Sequence, residues 1–460
     1  MSDAGSAGQV TLGIDIGTTS VKAVAADEVG TVVARARVPH RVHSRVAGEF
    51  EHDVNEAWRD GVVAVLNQVG AGLDVAAVDV SAMVPSLGAV DADGRGVGPG
   101  LLYGDHRGER DDADSTQPGD SGELLAFLAW HAATSPDAAG YWPAQAVANH
   151  ALIGRGAIDS TTAMTAYPLF DFVGWDEALA ADAGTVPSAL PDIVTGVEPA
   201  GKVQDGLAAA GALVGGGTID ALGEQIVAGA DRAGDVLIIC GATLITWGVV
   251  EEWAEVPGLW TIPHTAAGMT MVGGPSNAGG LFVDRVRRWV GDPVPEAISA
   301  VDPSDLPIWL PYVRGERTPL HRRDIRGSLH GLSLHHGSEH LMASAFESSG
   351  FVARHHIDLA RSAGLTPARV VATGGGTNAP AWMQALADAT QLPVEIVAVP
   401  EGAALGAAFI ARCVAGLEAN MTDARRWART SRTVEPRAHA AGPVQDRYAR
   451  FVALTAEAVA

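Results

Sequence analysis

A strand, a glycine turn and a second strand occur twice in this chain, and this repeated unit constrains the fold more than any other feature. In GIDIGTTSVKAVAAD, residues 13–27, small and apolar residues lie on both sides of a Gly-Thr-Thr turn. The same order recurs in DVLIICGATLITWGVV, residues 235–250. Apolar residues with a period of two are typical of β-strands. Each segment therefore predicts a hairpin, and their likeness predicts a duplicated architecture.

The sequence around each hairpin predicts a mixed sheet. After the first hairpin, a third strand is predicted from near Thr31, a helix after the capping-box pair Asp53 and Glu56, and a further strand in VAAVDVSAM. In the second half, ARVVATGGGTNAPAWMQALADATQLPVEIV reads as strand, glycine turn, helix and strand. Hairpin-linked strands combined with helices and further strands predict an α/β fold with a mixed sheet in each half.

The length and composition predict two globular domains. The chain has 460 residues, of which 47% are hydrophobic, enough for two substantial cores. We predict a disordered tail at residues 1–8, an N-terminal domain at 9–232, a C-terminal domain at 233–416 and a peripheral helical tail at 417–460.

The charge balance excludes some classes of partner. Acidic residues number 54 against 31 basic residues, and the formal net charge is -23. Such a chain is a poor general partner for nucleic acid or for an anionic membrane surface. No apolar run approaches the ~18 residues that suggest a membrane span, and the two cysteines, Cys240 and Cys413, have no metal-ligand spacing. These features predict a cytoplasmic protein.

The first hairpin turn is a candidate phosphate site. Gly17 permits close backbone approach, and Thr18 and Thr19 add hydroxyl and amide donors. Asp15, two residues upstream, would repel a phosphate unless a divalent cation bridges the two, which makes Asp15 a candidate Mg²⁺ ligand. The alternative is an ordinary hairpin turn with a solvated aspartate.

Asp220 is the candidate catalytic base. It follows a glycine run in VGGGTIDALGEQIVAGA, residues 214–230, where a helix is expected to begin. Phosphoryl transfer needs a carboxylate that orients a hydroxyl and accepts its proton, and an unperturbed aspartate is ionised at neutral pH. The alternative is an aspartate that only caps the helix.

Two further patterns are weaker. The glycine triplet in ATGGGTNAPAW, residues 372–382, would let a flat adenine or ribose lie on exposed backbone. The pairs His335-His336 and His355-His356 lack the helical spacing of a zinc site, which favours surface histidines.

Taken in order, these stretches resemble the FGGY family of carbohydrate kinases, within the actin-like ATPase superfamily, over about residues 10–415. The similar stretches are GIDIGTTSVKA, EFEHDVNEAW, DADGRGVGPGLLYGDHRGE, GATLITWG, LPYVRGERTPLHRRDIRGSLHGLSL and TGGGTNAPAWMQALADATQLPVEI with EGAALGAAFIA. A single one of them is a weak signal, whereas six in the family's order are a specific one.

The resemblance implies a fold and an activity. The fold is two ribonuclease-H-like, actin-like ATPase domains, the first binding sugar and the second nucleotide, with ATP and Mg²⁺ in the interdomain cleft. The activity is transfer of the γ-phosphate of ATP to a hydroxyl of a small ketose or polyol, a xylulose-like pentulose being favoured. Homodimers are frequent in the family, and a homodimer is left open here.

The resemblance also assigns roles to residues of this chain. Asp220 is the base, and it shares the metal with Asp15. ATP is expected to contact Gly17, Thr18, Thr19, Lys22, Gly241, Ala242, Thr243, Gly375, Gly376 and Asn378. The sugar is expected to contact Met83, Asp105, Arg107 and Asp220.

Several positions depart from the family pattern. The Gln-Met-His of xylulokinases is replaced within SAMVPSLG, residues 81–88, and Ala221 stands where they have asparagine. Ala242 removes one hydroxyl of the second phosphate motif, and residues 110–150 are shorter than is usual. Two alternatives therefore stay open: an actin-like nucleotide-dependent binding protein, and a catalytically degenerate family member.

Overall fold

The computed structural model describes residues 8–44, 46, 48–108, 123–264, 268–399 and 401–460. The chain forms two compact units: Met1–Val227 with Glu401–Trp427, and Ala228–Pro400 with Ala428–Ala460. Most of the predicted tail at residues 1–8, and part of the shortened stretch 110–150, lie outside the described residues.

The strands are numbered in chain order, with β1–β14 in the first unit and β15–β23 in the second. They are β1 (Val10–Ile16), β2 (Ser20–Ala26), β3 (Val32–Pro39), β4 (Val42–His43), β5 (Glu51–Asp53), β6 (Val75–Ala82), β7 (Ser86–Val90), β8 (Gly96–Leu102), β9 (Gly140–Trp142), β10 (Ala157–Asp159), β11 (Asp192–Val194), β12 (Gly201–Lys202), β13 (Leu213–Val214), β14 (Thr218–Ile219), β15 (Asp235–Cys240), β16 (Leu244–Val250), β17 (Trp260–Pro263), β18 (Thr270–Ser276), β19 (Ile308–Leu310), β20 (Ser328–His330), β21 (Arg369–Thr373), β22 (Val394–Val397) and β23 (Thr430–Val434).

The helices are numbered in the same way, and α1–α6 and α11 belong to the first unit apart from the last residue of α6. They are α1 (Gly61–Gly70), α2 (Glu123–Thr134), α3 (Ala144–Ile153), α4 (Ser160–Met164), α5 (Glu177–Asp182), α6 (Asp220–Ala228), α7 (Gly280–Val290), α8 (Pro295–Ser299), α9 (Ser338–Ala360), α10 (Pro380–Thr390), α11 (Gly402–Val414) and α12 (Ala441–Val459).

The main sheet of the first unit is mixed, with the order β12-β13-β6-β1-β2-β3, and β14 also pairs with β6. Strands β1, β2 and β3 pair antiparallel, which confirms the predicted meander. Strand β6 pairs parallel with β1. The predicted helix begins with a π-helical turn, Asn55–Asp60, that leads into α1. The Asp53 carboxylate accepts from the amides of Asn55 and Glu56 and starts this turn.

A second sheet of the first unit has the order β4-β5-β8-β7-β9. Its apolar residues pack with helices α2 and α4 around Leu87, Leu101 and Phe127, which are buried. The sequence does not predict this second sheet, because its strands are short and pair between distant segments.

Helices cover both faces of the main sheet of the first unit. The Leu12 side chain faces α1, since a Cβ added at Gly70 would lie 3.7 Å from Leu12 Cδ1. The next residue, Gly13, faces α11, where an added Cβ would lie 1.8 Å from the carbonyl oxygen of Ala404. Successive residues of a strand point to opposite faces, so α1 and α11 sandwich the sheet. Helix α11 was predicted within the C-terminal domain, and its small residues instead pack it against β1 and β6.

The second unit repeats the strand order of the first. Strands β15 and β16 form an antiparallel hairpin, and β21 pairs parallel with β15 on its other side. The whole sheet has the order β17-β18-β16-β15-β21-β22-β23. The relation of β15, β16 and β21 is that of β1, β2 and β6, as the duplication hypothesis requires.

Most of the predicted tail at residues 417–460 is integrated into the second unit, which includes Ala428–Ala460. Strand β23 pairs antiparallel with β22. Helix α12 buries Val444, Tyr448, Phe451 and Leu454 in the core of that unit. These residues follow the helical i, i+4, i+7 spacing, a pattern that the scattered arginines and alanines obscure. The structure thus places in a core the segment that the sequence analysis treated as a peripheral tail.

The contact of Gly13 with α11 gives a stability prediction. The substitution Gly13→Ala forces a methyl group into the backbone of Ala404, and we expect it to lower the free energy of unfolding by at least about 3 kcal/mol. Urea denaturation followed by circular dichroism measures this change. As the matched control, Gly98→Ala lies in the same unit, and its added Cβ makes only an ordinary contact at 3.7 Å. Equal stabilities of the two variants would contradict the close packing of α11 on β1.

Candidate active site

Three parallel strands bring the two candidate acidic residues to one edge of the first unit's main sheet. Asp15 is paired in register with Ser81 on β6, and Ser81 with Thr218 on β14. Asp220 begins α6 two residues after Thr218. Neighbouring strands lie ~4.8 Å apart, so the backbones of Asp15 and Thr218 are separated by about two strand spacings. Asp15 and Asp220 therefore share the carboxyl edge, as three parallel strands end there.

Asp15 is a buried carboxylate with one oxygen bound and the other without a partner. Its Oδ2 lies 3.3 Å from Lys22 Nζ, the residue opposite it in the hairpin. The negative charge of Asp15 raises the pKa of Lys22. Asp15 Oδ1 is buried and has no hydrogen-bond partner among the described residues. An unpaired buried carboxylate oxygen fits a hard cation, whereas the solvated aspartate of the alternative reading would be exposed.

Three side chains that were not predicted from the sequence, those of His40, His52 and Tyr103, hold the Gly17–Thr19 turn. His40 Nε2 lies 3.0 Å from the carbonyl oxygen of Gly17, and His52 Nε2 lies 2.8 Å from that of Thr18. Tyr103 lies with its hydroxyl 3.1 Å from the Thr18 hydroxyl. His52 lies between two acidic residues in the Glu-His-Asp segment. This polar segment was the one sequence feature that could have marked His52 as functional.

Asp220 lies at the start of α6, half-buried, and its Oδ1 accepts from the amide of Ala221 at 2.7 Å. Gln145 Nε2 donates to the carbonyl oxygens of Ala82 and Thr218 and ties β14 to the end of β6. The strand that carries Asp220 into position is therefore fixed by a buried amide.

The glycine run before Asp220 packs against two buried carboxylates. A Cβ at Gly215 would lie 2.2 Å from Asp79 Oδ1, and one at Gly216 would lie 2.8 Å from the backbone of Asp159. Gly217, with a φ of 94°, donates its amide to Asp79 Oδ1 at 3.1 Å. Burial raises the pKa values of both Asp79 and Asp159. These glycines serve packing, and Asp79 and Asp159 were missed because their pairing is not local.

The candidate sugar residues occupy the ends of β6 and β8. Met83 is buried directly after β6. The Asp105 carboxylate is inaccessible to solvent and accepts from the Phe50 amide at 2.6 Å and from the Arg107 guanidinium. Arg107 also donates to Glu51 Oε2 at 2.7 Å. The hydrogen bonds of Asp105 are thus made within the protein, where they orient Arg107.

In the second unit, the Gly241–Thr243 turn is fixed by the N-terminus of α7. The amide of Gly280 donates to the carbonyl oxygen of Gly241 at 2.9 Å, and the amide of Leu281 to that of Ala242 at 3.0 Å. A Cβ at Gly279 would lie 2.1 Å from the backbone of Thr243. Only glycine permits this approach.

The Gly374–Asn378 turn lies beside it, at the carboxyl edge of β15 and β21. Gly374 has a φ of 87°, and a Cβ there would lie 2.8 Å from the carbonyl oxygen of Cys240. Gly375 is exposed with open space above it, and Asn378 is exposed. The structure therefore brings the candidate phosphate turn and the candidate adenosine turn of this unit together.

Glu316, in the Gly-Glu-Arg-Thr-Pro segment, fixes the loop after β18. Its carboxylate accepts from the Ser276 hydroxyl at 2.7 Å and from the amides of Asn277 and Arg317. Burial raises its pKa to about 7, and the hydrogen bonds from Asn277 and Ser276 oppose that rise. This buried acid holds the Gly-Glu-Arg-Thr-Pro segment to the loop after β18.

The histidine pairs divide between surface and core. His335 and His336 both contact Asp305, and all three offer ligand atoms within 4.8 Å of one another. The amide of Ser333 donates to His336 Nδ1 at 3.1 Å. The proton of His336 therefore lies on Nε2, which leaves no lone pair there for a metal. His356 is 1% exposed, so the expectation of a surface histidine is wrong for this residue.

Comparisons with known proteins assign the chain to a family. The model of the FGGY carbohydrate kinase N-terminal domain matches residues 10–113, and that of the C-terminal domain matches residues 251–415. Together the two models cover more than half of the chain. The chain belongs to the FGGY family of carbohydrate kinases. It is accordingly an ATP-dependent sugar kinase, a phosphotransferase with an alcohol group as acceptor.

Similar proteins match along almost the whole length of this FGGY kinase. A xylulose kinase of Streptomyces coelicolor is 29% identical, over 96% of this chain and 94% of the relative. The crystal structure of xylulose kinase from Rhodospirillum rubrum superposes with a TM-score of 0.78 at 27% identity, covering 98% of this chain and 99% of that one. That of gluconate kinase from Lactobacillus acidophilus gives a TM-score of 0.83 at 20% identity, covering 98% of each chain, and supports the fold alone. Both confirm the two-domain actin-like ATPase fold.

In the part of the chain that the structure describes, no helix combines the length and apolar character needed to cross a membrane.

The buried Glu316 gives a pH prediction. Because its folded pKa of about 7 lies above the ordinary 4.5, its stabilising contribution is complete below pH 4.5 and is lost as the pH rises through 7. The substitution Glu316→Gln removes this loss, which is on the order of 3 kcal/mol. We expect the difference in unfolding free energy between wild type and variant to change across this window and to level off above it. Urea denaturation at several pH values measures it, with the exposed Glu296→Gln as control. A parallel pH course for wild type and Glu316→Gln would refute the assignment.

Proposed function

We propose that this FGGY kinase transfers the γ-phosphate of ATP to a hydroxyl of a small ketose or polyol, with Asp220 as the general base. The observation that carries the proposal is the placement of Asp15 and Asp220 at one carboxyl edge of the first sheet. We propose further that the first unit binds the sugar and the second binds the nucleotide.

A xylulose-like pentulose is the favoured acceptor. Support comes from the two xylulose kinases similar to this chain over its whole length. Met83 and Arg107 are proposed to line the sugar site, with Asp105 orienting Arg107 through its two-oxygen contact. A guanidinium fixed in this way presents its remaining donors in a defined direction.

The proposed mechanism makes Asp220 the general base. Its carboxylate orients the attacking hydroxyl and accepts its proton as the oxygen bonds to the γ-phosphorus and the bond to the β-γ bridging oxygen breaks, releasing ADP. The amide of Ala221 holds one oxygen of this carboxylate in place. Positioning and proton acceptance are the main contributions that such a reaction asks of the protein.

Asp15 and Asp220 are proposed to hold Mg²⁺. The unpaired, buried Asp15 Oδ1 fits this cation, which prefers carboxylate oxygens and substrate phosphates as ligands. When bound, Mg²⁺ would neutralise charge on the phosphates. Lys22, beside Asp15, is proposed to contribute a second positive charge to the same region.

The two glycine turns of the second unit are proposed to bind ATP. Gly241, Ala242 and Thr243 would contact phosphates through backbone amides. Gly375, Gly376 and Asn378 would contact adenosine, because Gly375 leaves backbone exposed. A cytoplasmic location stays a prediction from the sequence, and a homodimer stays open.

The substitution Asp220→Asn tests the base. We expect kcat to fall by about 10²–10⁴-fold while the affinity for ATP measured without Mg²⁺ changes little, since proton acceptance acts in the transition state. Steady-state kinetics and a direct ATP-binding titration measure the two quantities. The control Asp205→Asn changes an exposed aspartate of the same unit and should leave kcat unaltered. Turnover that persists in Asp220→Asn would remove Asp220 from the role of base.

The substitution Asp15→Ala tests the metal ligand. We expect the affinity for ATP in the presence of Mg²⁺ to fall by about 10-fold or more, and the affinity measured in EDTA to stay the same or rise, because a negative charge has been removed. Isothermal titration with and without Mg²⁺ separates the two. The exposed Asp74→Ala serves as control. An unaltered Mg²⁺ dependence in Asp15→Ala would rule out Asp15 as a ligand.

An ADP-release assay across ketopentoses, ketohexoses, pentitols and glycerol tests the acceptor. A signal with a pentulose at the lowest KM supports the proposal, and a preference for another class replaces it. Silence with every acceptor would favour the catalytically degenerate alternative.

A further inference from the structure

The two phosphate turns of this chain have their carbonyl groups held in the same way but by different donors. In the second unit, the carbonyl oxygens of Gly241 and Ala242 accept from the first two amides of α7, Gly280 and Leu281. In the first unit, the equivalent carbonyl oxygens are those of Gly17 and Thr18, and they accept from imidazoles. Two histidines thus do in one unit what a helix N-terminus does in the other.

A fixed carbonyl group determines where the next amide points. In a trans peptide, the C=O of one residue and the N–H of the next point in opposite directions. Holding the Gly17 carbonyl at His40 therefore turns the Thr18 amide away from that ring, and holding the Thr18 carbonyl at His52 does the same for the Thr19 amide. Neither amide has an acceptor among the described residues, and Thr19 is exposed. Both amides are thus available to donate to a ligand.

The proton of His52 is fixed on the ring nitrogen that the turn requires. Trp58 Nε1, which carries an obligatory hydrogen, donates to His52 Nδ1 at 3.0 Å. His52 Nδ1 is therefore an acceptor, the proton lies on Nε2, and Nε2 donates to the Thr18 carbonyl at 2.8 Å. Both side chains are buried. Burial lowers the pKa of His52 to about 3, which keeps the ring neutral at physiological pH.

His40 holds the turn at two points. Its backbone amide donates to the Thr19 carbonyl at 3.1 Å, and its Nε2 donates to the Gly17 carbonyl at 3.0 Å. Its Nδ1 is buried without a partner in the described chain, and the one donor of the neutral ring, Nε2–H, is used on the turn. The two rings meet edge to face, with centroids 4.5 Å apart.

We propose that His40 and His52 are positioning residues, which as neutral imidazoles hold the Gly17–Thr19 turn so that the Thr18 and Thr19 amides face the phosphates of ATP. The proposal rests on the proposed ATP-dependent function and on the expectation from the family resemblance that Gly17, Thr18 and Thr19 contact ATP. Neither ring touches the reacting atoms. Consecutive amides fixed on one side of a turn form an anion-binding concavity, and without the imidazoles the peptide planes are free to rotate.

Kinetics of two His52 variants test the proposal. His52→Leu removes the donor and keeps an apolar side chain, and we expect KM for ATP to rise by about 100-fold, since a small displacement of a positioned group has effects of this size. KM for the sugar should stay within about twofold, because the turn does not contact it. His52→Gln supplies an amide donor near the position of Nε2 and should restore KM for ATP to within about 10-fold of wild type. A purely structural role would lower the stability of both variants without this split between the two KM values.

A measurement on the wild-type protein tests the proposal even if His52→Leu does not fold. Long-range ¹H–¹⁵N spectra of protein labelled with [¹⁵N]histidine report which ring nitrogen carries the proton. We expect Nε2–H for both His40 and His52 at neutral pH. A proton on Nδ1 of either ring, or a charged ring, overturns the proposal.

Hydrogen exchange separates this proposal from the proposed function. In wild type, addition of Mg²⁺-ADP should slow exchange of the amides in the Gly17–Thr19 turn. Without that protection, the phosphate role of the turn fails, and the positioning role fails with it. With protection in wild type, a folded His52→Leu variant that retains wild-type KM for ATP would overturn the positioning role alone.

Discussion

The parallel pairing of β6 with β1 on one side and with β14 on the other is the constraint on which the candidate site depends. It aligns Asp15, Ser81 and Thr218 in one row and places Asp220 just beyond that row. A slip of one residue in either pairing would turn the side chains of a whole strand to the other face of the sheet. The register is held by Gln145, which bonds to the ends of both β6 and β14. It is also held by Asp79, which accepts from Gly217. The position of the candidate base thus depends on buried polar contacts behind it.

The two hairpin turns are likewise positioned by hydrogen bonds from other parts of their unit. Each turn has carbonyl oxygens that accept from the protein on one side, which leaves amides on the other. The donors differ because the neighbouring elements differ: α7 begins beside the turn of the second unit, whereas the turn of the first unit faces β5 and the segment after β3. Imidazole suits the turn of the first unit, since a buried neutral ring can accept from Trp58 and donate to the turn at the same time.

The sequence predicted those features whose signal is local. The alternation in β1 and β2 and in β15 and β16 predicted two hairpins, and Asp53 with Glu56 predicted the start of a helix; the structure has both. It did not predict the partners of residues that bond across long stretches of chain. Asp79 and Asp159 have ordinary sequence surroundings, and only their burial among strands and helices from elsewhere in the chain shows what they hold. Asp105 was predicted to contact a sugar, and in the structure its carboxylate accepts hydrogen bonds from Arg107 and from the Phe50 amide.

The sequence by itself determined that this protein has a duplicated α/β fold with a glycine turn in each half, because strand periodicity and the glycine requirement of tight turns are local properties of the chain. The sequence also predicted membership of the carbohydrate kinase family, since six motifs occur in the family's order. Tertiary structure decided that α11 packs on the first unit and that α12 packs into the core of the second. It also decided that two imidazoles hold the Gly17–Thr19 turn. These are contacts between distant segments, and their energy comes from burial and hydrogen bonds that exist only once the sheets have formed.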